Sequence, residues 1–118
     1  MEEKLKNNLL LDFYGNMLTE KQRQIMSLYI EEDTSLSEIA AELNTSRQAI
    51  YDAVKSSEKL LLSFEEKLKC VERFLNNREK LLEVITEIND IEETEKNNKN
   101  IEKLQNVKLK LEKVLQNQ

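Results

Sequence analysis

Across 118 residues the chain carries no proline and a single glycine, Gly15. Proline breaks helices and glycine loosens them, so their near-absence leaves few natural stopping points for an α-helix. Strand-like β-branched runs are scarce, and 35% of the residues are charged. An all-α fold is therefore expected. With only three Phe and three Tyr, the core must come mainly from Leu, Ile and Val. The length suits one compact domain, or a small domain with a helical extension.

What is missing narrows the chemistry. There is no histidine, which removes Ser-His and Cys-His nucleophilic pairs and His-ligated metals. One glycine cannot build a phosphate-cradling loop. Paired carboxylates are plentiful, but on exposed helices they usually make a solvated face. No catalytic, cofactor-binding or metal-binding residue is expected, and the chain does not read as an enzyme. The lone Cys70 cannot close an internal disulfide. It is expected to be a small buried apolar residue in a reducing compartment. No apolar run approaches a membrane span and the N-terminus lacks an apolar signal core. A soluble cytoplasmic protein without a membrane partner is expected.

Helical spacing organises the first half. Leu5, Leu9, Leu10 and Phe13 form a stripe on a first helix over Glu3–Tyr14, which Gly15-Asn16 ends. Thr19 and Gln22 have the spacing of a capping box that opens a second helix. Its buried face is expected at Ile25, Leu28 and Tyr29, with Met26 beside them. Glu31-Glu32-Asp33-Thr34 is a polar stop. Ser35, with Glu38 three residues on, opens a third helix that turns Ile39, Ala40 and Leu43 inward. The small Ala40 lets the next helix cross closely. Asn44-Thr45-Ser46 supplies a turn in which Asn tolerates the left-handed conformation, and Ser46 or Thr45 caps a fourth helix. Ala49, Ile50 and Val54 are expected in the core. Gln48, Tyr51, Asp52 and Lys55 fall on the opposite face, with Arg47 at its start.

Residues 35–55 thus have the pattern of a helix-turn-helix, whose second helix commonly lies in the DNA major groove. Charge argues the other way. The chain has a formal net charge of -5. Within residues 46–63, Arg47, Lys55 and Lys59 stand against Asp52 and Glu58, which offers few phosphate contacts. Asp52 on the reading face repels phosphate, although a carboxylate can accept from a cytosine amino group. A three-helix packing unit that binds no nucleic acid stays open as the plainer reading.

The blocks around this motif carry a resemblance. Leu18-Thr19 through Leu61 resembles region four of bacterial sigma factors, where a Leu-Thr opens the unit and a Ser-Arg begins the recognition helix. A closer likeness is to the YlxM-like helix-turn-helix proteins of Gram-positive bacteria. It rests on Leu11-Asp12-Phe13-Tyr14, Leu18-Thr19-Glu20-Lys21-Gln22, Met26-Ser27-Leu28-Tyr29, Leu36-Ser37-Glu38-Ile39-Ala40 and Ser46-Arg47-Gln48-Ala49-Ile50-Tyr51-Asp52, about two-thirds of the chain. The resemblance implies a regulatory role linked to the signal recognition particle pathway. It implies Arg47, Gln48, Tyr51 and Lys55 as contacts, with Thr45 and Ser46 completing the candidate nucleic-acid site. The partner would be DNA or the particle's RNA. In the rival reading the unit is an adaptor that docks the particle's GTPase, its acidic surface meeting a basic partner. Ser56 and Ser57 stand where another basic residue is expected in relatives.

Beyond Ser57 the pattern changes. Leu61, Phe64, Leu68, Val71 and Leu75 alternate three- and four-residue steps like a coiled-coil seam, so the fourth helix is expected to reach about Leu75. Asn76-Asn77 marks a break. A fifth helix follows from Arg78 to about Glu93, with a broad stripe of Leu81, Leu82, Val84, Ile85, Ile88 and Ile91. Thr94 to Asn100 reads as a loop, and a last helix carries Ile101, Leu104, Val107, Leu111, Val114 and Leu115. The division expected is a helix-turn-helix domain over 1–63 and a C-terminal helical extension over 64–118. Glu87, Asp90, Glu92, Glu93 and Glu95 precede Lys99, Lys103, Lys108, Lys110 and Lys113. Antiparallel pairing of the two helices brings these charges together. A basic tail for nucleic acid is the sharper alternative. The apolar surface exceeds what one small core buries, so a homodimer through these helices is expected.

Overall fold

The computed structural model describes residues 3–94 and 101–116, and these are helical with short connections. Six α-helices are present among them: α1 (Glu3–Tyr14), α2 (Glu20–Met26), α3 (Leu36–Glu42), α4 (Arg47–Leu68), α5 (Cys70–Thr94) and α6 (Ile101–Gln116). A 3₁₀ turn at Gly15–Met17 follows α1, and a π-helical turn at Ser27–Glu31 extends α2. Two compact units divide the chain, Met1–Val71 and Glu72–Gln118.

In the first unit α1, α2 and α3 all pack against α4. The core is built from Tyr14, Ile25, Met26, Ile39, Ile50, Val54 and Leu61. On α4 the buried residues are Ile50, Val54, Ser57 and Leu61, steps of four, three and four that keep one face inward. The capping box at Thr19 is complete: Thr19 Oγ1 accepts from the Gln22 N–H at 3.1 Å, and Gln22 Oε1 accepts from the Thr19 N–H at 3.0 Å. Gly15 keeps an ordinary negative φ. Its value is space, because an added Cβ would meet Leu11 Cδ1 at 3.3 Å.

Several sequence expectations are corrected. Leu5 and Phe13 are exposed, whereas Leu9, Leu10, Leu11 and Tyr14 are buried. Three consecutive leucines permit more than one apolar arc, and the helix turns inward the arc ending in Tyr14. That choice is open to tyrosine because its phenol finds polar partners. On the second helix Ile30 is buried and Tyr29 exposed. The π turn is the reason: Glu32 N–H bonds Ser27 O across five residues at 3.2 Å, which delays the return of the inner face by one residue. Ala49 is exposed, since it lies a full 100° step around α4 from Ile50.

The largest correction concerns the end of α4. The helix stops at Leu68, and Asn76 and Asn77 lie inside α5. Lys69 adopts the left-handed conformation (φ 57°, ψ 27°), and its N–H bonds Glu65 O at 2.8 Å. The first N–H groups of α5 then find side-chain acceptors. Cys70 N–H donates to Tyr14 Oη and Val71 N–H to Glu65 Oε1, each at 3.0 Å. Cys70 is only half-buried rather than a core residue.

In the second unit, Lys108 Nζ donates to Asn89 Oδ1 at 3.0 Å and stands 3.7 Å from Glu92 Oε2. These contacts bring α6 back alongside α5 within one chain. A stripe of half-buried residues runs along each helix, including Leu81, Ile85 and Glu92 with buried Ile88 on α5, and Ile101, Leu104, Lys108, Leu111 and Leu115 on α6. Of the expected loop over Thr94–Asn100, Thr94 ends α5, and 95–100 lie outside the described residues.

Candidate nucleic-acid interface

The turn between α3 and α4 is made by a left-handed cap. Asn44 takes φ 54°, Thr45 N–H reaches back to Ala40 O at 2.9 Å, and Asn44 N–H approaches Ala41 O at 3.4 Å. This is the paired-bond pattern of a Schellman stop, with Asn where glycine is commonest. Ser46 then caps α4, its Oγ accepting from the Ala49 N–H at 3.1 Å. Ser35 does the same for α3 through the Glu38 N–H. Ala40 is buried where α3 meets α4. Local chemistry therefore sets both ends of the turn, and the buried alanine lets the helices approach.

The six candidate residues separate into two groups. Thr45 and Ser46 build the turn: Thr45 is half-buried with its N–H committed, and the Ser46 hydroxyl is committed to the cap. Arg47, Gln48, Tyr51 and Lys55 are exposed and share one face of α4 by their helical spacing. Arg47 has no ion pair among the described residues. Gln48 Nε2 donates to Asp52 Oδ1 at 3.0 Å. Lys55 lies 5.7 Å from the centre of the Tyr51 ring and 3.8 Å from Glu58 Oε2. Tyr51 thus lies under a cation and is 42% exposed as a residue, an arrangement able to stack or to contact a thymine methyl.

One further residue belongs to this face. Lys59 is exposed and continues the line one turn beyond Lys55. The i, i+4 step from Lys55 was the available signal. Ser57 does not belong. It is fully buried on the core side of α4. Its Oγ has no hydrogen-bond partner. Glu38 and Glu42 on α3 and Asp52 on α4 are exposed acids of the same unit.

The match to known families decides what this unit is. The family model described as "Putative helix-turn-helix protein, YlxM / p13 like", UPF0122, matches residues 1–115. The chain belongs to this family. A UPF0122 protein of Clostridium kluyveri is 42% identical over 106 residues, covering 90% of this chain and 95% of its own length. One from Clostridium novyi is 47% identical over 103 residues, covering 85% of each. One from Acetivibrio thermocellus is 37% identical over 116 residues, covering 98% of this chain and 99% of its own. The UPF0122 match runs well past the two-thirds on which the motif resemblance rests, so α5 and most of α6 are part of the family unit. Among the described residues of this UPF0122 chain, no helix is long and apolar enough to cross a membrane.

Proposed function

We propose that this chain is a non-enzymatic helix-turn-helix regulatory protein that engages nucleic acid through α4. By family resemblance its setting is the signal recognition particle pathway, and its target the particle's RNA or operon DNA. The supporting observation is Arg47, exposed and without an ion pair at the first turn of α4. There its guanidinium and the helix N-terminus both favour phosphate. Gln48, Tyr51, Lys55 and Lys59 would then face the groove. With three cations on that face, binding is weak for one unit and sharply salt-dependent. A homodimer through the C-terminal helices would present two such faces and raise the avidity. A fluorescence titration with duplex DNA and with the particle's RNA tests the reading. Binding at low salt that falls in the Arg47→Ala, Lys55→Ala double variant supports it. Absence of binding, or binding unchanged in that variant, refutes it.

The exposed acids Glu38, Glu42 and Asp52 of the same unit favour a second reading, an adaptor that docks the particle's GTPase through a basic patch on that partner. A pull-down with purified GTPase and no RNA separates the two. A complex at micromolar concentration supports the adaptor, and its absence refutes it.

A further inference from the structure

We propose that the α5–α6 hairpin carries a self-complementary face on which a second copy of the chain docks, α5 of one copy lying antiparallel on α6 of the other. The inference rests on the self-association reading above and names its face and orientation.

Besides Leu82 and Leu109, which point elsewhere by their helical spacing, four large apolar residues are exposed in this unit at a regular spacing. Val84 and Ile91 on α5 are 40% and 43% exposed, and Val107 and Val114 on α6 are 45% and 46%. Each pair is seven residues apart, so each forms one strip along its helix. On both helices the strip lies roughly a quarter-turn from the half-buried stripe, in the same rotational sense at ~100° per residue. For antiparallel helices whose half-buried stripes face each other, equal offsets fall on the same side of the hairpin. The four residues therefore make one two-helix face.

The Lys108 contacts with Asn89 and Glu92 also set the level of one helix against the other. Ile91 stands level with Val107, Val84 with Val114, and Glu87 with Lys110. Charges border the face. Glu83, Glu87 and Asp90 are exposed along the outer edge of α5, and Lys103 and Lys110 along the outer edge of α6. Neither Glu87 nor Lys110 has an ion pair among the described residues.

A two-fold axis parallel to the helices places α5 of one copy over α6 of its mate and preserves these levels. Ile91 then meets Val107, Val84 meets Val114, and the Glu87 edge runs beside the Lys110 edge. A two-fold axis across the helices instead sets α5 on α5 and brings the carboxylate edges together, which like-charge repulsion disfavours. The charges thus select both the occupant and its direction. Four exposed apolar side chains per copy make a small interface, for which micromolar association is expected.

Sedimentation velocity of the full chain from 1 to 100 µM tests the proposal, with helicity checked by circular dichroism. The wild type is expected to dimerise in this range. Glu87→Lys and Lys110→Glu should each weaken dimerisation by about tenfold or more, and the double exchange should restore it. Val107→Asp should give a folded monomer. A wild type that stays monomeric at 100 µM overturns both this proposal and the self-association reading. A dimer indifferent to Val107→Asp and to both charge reversals overturns only the face proposed here. Weakening by each reversal without rescue in the double exchange overturns the orientation.

Discussion

Tyr14 Oη donates to Glu65 Oε1 at 2.6 Å, across 51 positions of sequence. The phenol oxygen also accepts from the Cys70 N–H, and the same Glu65 oxygen accepts from the Val71 N–H. One tyrosine from α1 therefore helps end α4 and begin α5. Its ring lies 6.0 Å from that of Phe64, which keeps it packed while its tip is polar. Removing the hydroxyl leaves an N–H and a carboxylate oxygen each short of a partner. Tyr14→Phe is expected to cost about 1–3 kcal/mol, measured by urea denaturation.

The same bond has a pH signature. Burial, followed by the hydrogen bond to Glu65, holds the Tyr14 phenol well above its ordinary value near 10. The folded state therefore retains a proton that the unfolded state releases. This contribution is fully present below about pH 10 and is lost as pH rises from there toward the raised folded value. Denaturation midpoints from pH 9 to 11 should fall more steeply for the wild type than for Tyr14→Phe. Parallel curves would contradict the assignment.

Much of the helix-turn-helix was legible because its signals are local. Thr19, Ser35 and Ser46 cap the helices that their spacing announces, and Asn44 takes the left-handed turn that its type allows. What escaped was set by distant contacts. Nothing near Lys69 announces a stop, because the acceptors for the following N–H groups include Tyr14. The π turn is equally silent in the apolar pattern, and so Tyr29 and Ile30 exchange places. On the candidate face Arg47, Gln48, Tyr51 and Lys55 are where spacing put them. Lys59 needed only one more turn of the same argument.

Ser57 supplies a second test. Its hydroxyl is buried without a partner, a cost that alanine removes while filling nearly the same space. Ser57→Ala is expected to raise stability by about 1 kcal/mol. A loss of stability of that size would mean the hydroxyl is bonded.

The left-handed residues predict opposite signs. Lys69 bears a Cβ where glycine is preferred, so Lys69→Gly should be neutral to stabilising by up to about 1 kcal/mol. Asn44→Ala, at φ 54°, should destabilise by about 1 kcal/mol, because Asn tolerates this conformation better than Ala does. Thermal midpoints of the two variants should move in opposite directions or differ by several degrees.

The Ser46 cap links stability to the candidate site. Ser46→Ala removes the acceptor for the Ala49 N–H and should cost about 1 kcal/mol. Ser46→Asp preserves the cap but adds negative charge beside Arg47. It should keep the fold while weakening any bound nucleic acid, which separates folding from contact.

The salt dependence of nucleic-acid binding tests the central claim most directly. With Arg47, Lys55 and Lys59 as the cations of the face, log affinity against log salt should fall with a slope of about -2 to -3. Arg47→Ala should reduce that slope by about 1 without altering the fold. No binding near 50 mM salt to either the particle's RNA or duplex DNA, or a slope that Arg47→Ala leaves unchanged, would contradict α4 as the nucleic-acid surface.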